Sequence, residues 1–301
     1  MFKNREGQVR SGWVIAGVIF SALIITLITT IAIGVVVVLY YLNKTGGNVT
    51  EAAMQAESAI NIIGIWVQQT AFILVPLITW KFILKRSLSS MGLGPLKTQG
   101  KDLVVGLLFG ALSITLVFVI LVLTGHAKIV SSAPRFSMDQ LYSLLVFIAV
   151  GFSEEIYGRG FVMSVLRQTK SKWIAVLVSA IIFALLHSLN PGIGIIPYAN
   201  LFLTGVLFSY MYLLSGNIWM CIGYHITWNY FQGNVFGFLV SGNSTPSIVT
   251  TVIEKETILN GGAFGPEGGL AVTLIVLLGF LFVRCYYRNT NYNFLADAVS
   301  D

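Results

Sequence analysis

Charge is what this chain has least of. Acidic residues number 12 and basic residues 18 in a length of 301, so only 10% of positions are charged. A soluble globular domain carries about 25%. With 56% apolar residues and a mean hydropathy of +0.83, too little polar surface is left to cover a core in water. That excludes a soluble fold. It also excludes disorder, which needs low hydrophobicity and high net charge. Cysteine is almost absent as well. Cys221 and Cys285 stand 64 residues apart and form neither a CxxC pair nor a zinc-ligand spacing. They read as small apolar packing residues. No internal repeat and no low-complexity segment stands out. The net charge of +6 implies no nucleic-acid partner, because in a membrane protein the placement of Lys and Arg matters more than their sum.

What the chain does have is long apolar runs, and a spanning helix needs about 20 such residues. No residue between Arg10 and Lys44 is charged, and Trp13 to Leu42 is a largely apolar run of 30 residues. The run is too long for a signal-peptide core and no small-residue cleavage site closes it, so it is expected to stay in the membrane. A second run lies between Glu57 and Lys81, and a third from Leu103 to Gly125. The fourth begins near Leu141, meets Glu154, Glu155 and Arg159, and continues to Arg167. From Trp173 to Ile253 there follow 81 residues without Asp, Glu, Lys or Arg. Asn190-Pro191-Gly192 and Ser215-Gly216-Asn217 are turn signals that divide this region into helices near 173–188, 195–214 and 217–240. A polar, Gly-rich loop from Ser241 to Gly269 precedes a short last span, Leu270 to about Val283. The pattern predicts an all-α, polytopic membrane helix bundle of about eight transmembrane helices, one membrane domain over residues 1–301.

Eight spans put both termini on one side. That side receives 13 basic residues: Lys3, Arg5, Arg10, Lys81, Lys85, Arg86, Lys97, Lys101, Arg167, Lys170, Lys172, Arg284 and Arg288. The other side receives four: Lys44, Lys128, Arg135 and Lys255. Under the positive-inside rule both termini are expected in the cytoplasm. Dropping one internal span would invert the later loops and spoil this bias. A multi-pass protein of a bacterial plasma membrane fits the basic loops.

Ionisable groups at membrane depth are costly and mark functional sites by default. Here they are Glu154, Glu155, Arg159, His187 and His225, while His126 falls at a span end. At 1.5 Å per helical residue, Glu154 lies roughly 20 Å from the Arg167 flank and His187 roughly 22 Å from Lys172. His225 lies roughly 12 Å beyond Asn217. Three helices thus bring polar groups near one level. Glu155 and Arg159 are at i, i+4 and can pair, while Glu154 is rotated by about 100°. A carboxylate held by Arg stays ionised, and one desolvated beside a like charge suits a general base. This geometry assigns Glu155 to the ion pair and Glu154 to the base. His225 and Asn229 are again i, i+4, and an amide beside an imidazole can donate to a developing oxyanion. Each feature alone also has a plain reading, a buried structural ion pair or a helix–helix hydrogen bond. Tyr157, Trp228 and Tyr230 read as packing aromatics, and Gly158 and Gly160 as close-packing residues. Together the polar set points to one site.

At these residues the sequence resembles a known family. Glu154-Glu155-Ile-Tyr-Gly-Arg159 matches EExxxR, Phe183-Ala-Leu-Leu-His187 matches FxxxH, and His225-Ile-Thr-Trp-Asn229 matches HxxxN. Their order and spacing resemble the CPBP family of intramembrane proteases, also called CAAX-protease or Abi, over roughly residues 100–240. Residues 1–99 and 241–301 are then additional spans and loops. The resemblance implies an α-helical membrane endopeptidase. It implies that Glu154 and His187 activate a water, that His225 and Asn229 stabilise the oxyanion, and that Glu155 and Arg159 orient the site. The family has been described both as metalloproteases and as glutamate proteases. Glu154, His187 and His225 could hold Zn²⁺ with one position open. However, HExxH is absent and Asn229 is a poor zinc ligand, so no cofactor is favoured and zinc stands as the alternative.

The expected partners are the bilayer and a membrane-associated, lipidated or hydrophobic peptide or protein substrate. A prenylated substrate is not implied, and Ala298-Val299-Ser300-Asp301 is no CaaX box. The alternative is a non-enzymatic membrane adaptor, since some relatives are discussed as bacteriocin self-immunity proteins or sensor-kinase regulators. A proton-coupled transporter would show paired interrupted helices in two halves, and no such pairing is seen.

Overall fold

The structure, a computed structural model, describes residues 2–4, 7–131 and 137–296. Arg5 and Arg135, which enter the charge count above, and the Ala298–Asp301 tail lie outside the described residues. The molecule is all-α and divides into two compact units, residues 1–85 and 86–301.

The first unit is a helical hairpin. α1 (Ser11–Lys44) and α2 (Val49–Ile78) are joined by a tight turn with Gly46 and Gly47 at φ of 64° and 92°, a region that only glycine enters cheaply. The Asn48 side chain accepts from the Glu51 N–H and caps α2. Ala22, Ala52 and Ala56 are fully buried between the helices. Pro76 sits inside α2, which loosens into a π-helical turn at Thr79–Ile83.

The second unit alternates direction from helix to helix. α3 (Leu96–Leu123) leads to a short β1 (Lys128–Ser131). α4 (Met138–Glu155) begins where Gln140 accepts from the Ser137 N–H, and runs on through a π-helical stretch, Ile156–Met163, and a last turn, Ser164–Leu166. α5 (Lys172–Leu186), α6 (Ile195–Ser215) and α7 (Trp219–Tyr230) follow, then a π turn at Phe231–Val235, β2 (Thr250–Val252) and α8 (Leu270–Tyr286). β1 and β2 pair antiparallel. Eight helices lie at the eight expected spans, but α7 and its π turn end at Val235, short of the expected 240, where the chain turns into the 241–269 loop. By length and composition five are long and apolar enough to cross a membrane, α5 and α8 are shorter apolar helices, and α7 has only 12 residues. The turn signals fall where expected, with Gly192 and Gly216 at φ of 73° and 74°.

Small residues let the helices close up. A Cβ on Gly106 or Gly110 of α3 would strike the Met220 or Tyr224 carbonyl of α7, and one on Gly223 would strike the Leu103 carbonyl. α3, α7 and α8 share the main core, with Ile114, Leu121, Met220, Cys221 and Val276 all nearly or fully buried. Cys221 packs there and donates to the Phe208 carbonyl, whereas Cys285 is exposed on α8.

The polar contacts sort by end. At one end Asn217 donates to Asp102, Tyr286 donates to Asp102, Lys101 lies over the Tyr286 ring, and Arg167 donates to the Ser90 carbonyl and to Tyr292. At the other, Lys128 pairs with Glu254 and Asn260 donates to the His126 and Lys255 carbonyls. Within this unit the basic flanks therefore gather at the first end, apart from Lys128 and Lys255 and with Arg159 buried between.

Candidate active site

α4, α5 and α7 present the polar residues to one another. Glu155 and Arg159 are both fully buried and paired at 3.1 Å across one turn, just where α4 widens into its π stretch. π segments are rare and frequent at functional sites. Gly158 and Gly160 lie within it, and the Ser179 hydroxyl from α5 donates to the Gly158 carbonyl at 2.9 Å. Gly160 leaves room for the Met91 backbone against it. Only one nitrogen of Arg159 donates to a carboxylate. Among the described residues its Nε and Nη2 have no hydrogen-bond partner, and the guanidinium carbon instead lies 4.5 Å from the Phe183 ring centre and 4.9 Å from that of Phe208. The charge is thus held by one carboxylate and two aromatic faces.

Glu155 Oε1 also accepts from His225 Nδ1 at 3.0 Å. A carboxylate cannot donate, so the Nδ1 proton is on His225 and Nε2 is left for the cavity. His225 was expected roughly 8 Å nearer the flank than Glu154 on helical rise alone. The two levels nonetheless meet, since His225 Nδ1 reaches Glu155 Oε1 at 3.0 Å.

Glu154, half-buried and turned away from that pair, faces His187, with Oε2 4.0 Å from Nε2. His187 is placed by the end of α5. That helix stops at Leu186, two residues short of the expected 188, and His187 caps it. Its Nδ1 donates to the Phe183 carbonyl one turn back at 2.8 Å, which leaves the Nε2 lone pair facing Glu154. Phe183 packs on the His187 ring at 5.0 Å, the packing that the FxxxH spacing allows.

A cavity of about 200 Å³ joins these groups. Glu154, His187, His225 and Asn229 all line it, and Asn229 is buried without a hydrogen-bond partner among the described residues. Glu155 and Arg159 stand behind its wall. All six expected residues are therefore brought together, four at the cavity and two behind it. Phe147, Leu201, Phe208, Trp228 and Val272 supply the apolar lining.

Sequence reading missed a second group of lining residues: Asn190, Asn200, Ser241, Asn243, Thr245 and Glu267. They come from the 187–194 turn, the start of α6 and the 241–269 loop, all at the end opposite Arg167. The loop is built rather than loose. It holds 3₁₀ turns at Gly262–Phe264 and Pro266–Gly268, and Asn200 donates to the Glu267 and Gly269 carbonyls while accepting from Thr273. The available signal was an unpaired acidic residue in a Gly-rich loop just ahead of a span.

Among the described residues, no three His, Cys, Asp or Glu side chains form a group able to hold a metal ion. Glu154, His187 and His225 share the cavity without converging as the three-ligand set that zinc needs. Chemically, the arrangement offers a carboxylate and an imidazole lone pair on one side, and an amide with a carboxylate-backed imidazole on the other.

A family model described as type II CAAX prenyl endopeptidase Rce1-like matches residues 137–231. The matched segment holds all three motifs and stops short of Ser241 and Glu267. No curated protein and no solved structure matches the chain.

Proposed function

We propose, from the premise that residues 137–231 carry the core of the CPBP/CAAX-protease family, that this multi-pass membrane protein is an intramembrane endopeptidase cleaving a hydrophobic, membrane-associated peptide. The observation that carries the reading is the facing of Glu154 and His187 across 4.0 Å at a cavity that His225 and Asn229 also line. That gap is too long for a direct hydrogen bond and suits a water oxygen in contact with both. Glu154 takes one proton of the water while His187 Nε2 orients the other, and the oxygen attacks the scissile carbonyl. The oxyanion forms against the Asn229 amide and His225 Nε2. His225 can donate there only as imidazolium, because Nδ1 already donates to Glu155. Glu154 then returns its proton to the leaving amine. Arg159 fixes Glu155, which fixes the His225 ring.

The mechanism proposed is metal-free and of the glutamate type. Glu154→Gln keeps the shape and removes the base, so cleavage is expected to fall by about 10²–10⁴-fold with folding intact. Normal cleavage by that variant would sink the assignment, and an adaptor would keep its phenotype with it. Stoichiometric zinc in protein purified without chelator, with activity lost on its removal, would overturn the metal-free reading.

The positive-inside rule supports one more element. Lys97, Lys101, Arg167, Lys170, Lys172, Arg284 and Arg288 flank the helix ends away from the cavity's loop-covered side, which makes that basic end cytoplasmic. The cavity is then reached from the other face of a bacterial plasma membrane.

A further inference from the structure

Glu267 is the part of the cavity that the proposed reaction does not use. The carboxylates at this lining are Glu154 and Glu267, and no Lys or Arg is among the lining residues. A carboxylate facing a largely apolar cavity is costly unless something compensates it. Glu267 is nonetheless held in place with care. Its Oε2 accepts from the Ser241 N–H at 2.6 Å and from the Ser241 hydroxyl at 2.8 Å. Its backbone is pinned by Asn200, itself buried and held by Thr273. Gly265, at φ 88°, turns the chain into the Pro266–Gly268 turn and packs so closely that a Cβ would strike the Leu239 carbonyl. Two donors meet on one oxygen, while Oε1 has no hydrogen-bond partner among the described residues. A second lining residue, the buried Asn229, likewise makes no side-chain hydrogen bond among the described residues.

Resting on the protease reading, we propose that Glu267 is a substrate-binding residue that takes a cationic group of the peptide, a Lys or Arg side chain near the scissile bond. A preorganised carboxylate with one free oxygen in a low-dielectric cleft matches an ammonium or guanidinium. It opposes the anionic end of a peptide, so the favoured bond is internal rather than next to a free C-terminal carboxylate. The same chemistry could come from a peptide's N-terminal ammonium, which N-acetylation separates.

The test uses the full chain in detergent with N-acetylated, C-amidated hydrophobic peptides that carry Lys, norleucine or Glu at each position in turn. Cleavage by wild type and dissociation constants for the Glu154→Gln protein are both measured. At one position wild type is expected to favour Lys over norleucine by about tenfold in kcat/KM, through KM, the size of one charge-assisted hydrogen bond. In Glu267→Gln that ratio falls to near one, and in Glu267→Lys the Glu peptide overtakes the Lys peptide. A structural role for Glu267 lowers all peptides alike and leaves the ratio in place, which overturns the proposal. So does a wild type with no Lys preference in either measurement, or a preference that appears only in peptides with a free N-terminus. Lys-selective binding that depends on Glu267, without cleavage of any peptide, upholds the subsite and overturns the protease reading instead.

Discussion

Arg159→Met probes the ion pair behind the cavity. The substitution keeps a long apolar stem between Phe183 and Phe208, where sulfur–aromatic contact replaces part of the stacking, but removes the charge. Glu155 is fully buried, and its remaining donor is His225. Breaking a buried pair from one side costs about 3–5 kcal/mol, because the surviving charge is left uncompensated. Stability in mixed micelles, read from reversible unfolding, is expected to drop by that amount. Glu155→Leu alone strands Arg159 against two rings and should cost a similar amount. The double variant exchanges the pair for apolar volume and should recover most of the loss, since such replacements are often neutral or better. The cycle then yields a coupling of roughly 3 kcal/mol or more, far above the ~0.5 kcal/mol scatter of independent sites. Activity should not follow stability. Without Glu155 the His225 ring loses the acceptor that orients it, a loss worth up to about 10⁴-fold where an acid holds a catalytic imidazole. A folded double variant that cleaves normally would refute the positioning role. Additive single losses would refute the energetic pairing.

Other expectations follow from the same geometry. Asn243→Cys should react with a membrane-impermeant maleimide added to intact cells, and a cysteine at Lys170 should react only after lysis; the reverse pattern would invert the orientation proposed. Gly110→Val should cost about 1–3 kcal/mol or more in micelle unfolding, since its Cβ meets the Tyr224 carbonyl, whereas Gly100→Val, with open space around it, should cost well under that. Ser179→Ala removes the donor to the Gly158 carbonyl inside the π stretch, and a loss of about 1–2 kcal/mol is expected from the unmet buried acceptor.

The helices were legible because lipid imposes a coarse rule: uncharged runs and Gly- or Asn-marked turns suffice to place them. The three motifs were legible because i, i+4 spacing fixes a shared face before any tertiary contact is known. The π stretch after Glu155 was not, since the residues at Ile156–Met163 are also compatible with an ordinary α-helix. Nor was the end of α5 at Leu186, since the Asn190-Pro191-Gly192 signal marks the turn but not the residue at which the helix stops. Glu267 escaped for a further reason. It meets Ser241 across 26 residues and Asn200 across 67, and periodicity carries no information over such spans.

The paired charges of α4 also bear on how the chain gets into the bilayer. A charged residue at a helix centre opposes translocon insertion by about 2.5–3.5 kcal/mol, while each Leu, Ile, Phe or Val returns only about 0.3–0.6. Glu154, Glu155 and Arg159 together offset much of the apolar gain of α4, which is otherwise long and apolar enough to span. Its compensating groups are Phe183, Phe208 and His225, the last of which lies 70 residues downstream of Glu155. During synthesis the insertion of α4 is therefore expected to be completed only once α7 emerges. A nascent chain cut before α7 should leave more of α4 out of the membrane than the full chain does, which would tie the topology to the Glu155–His225 contact.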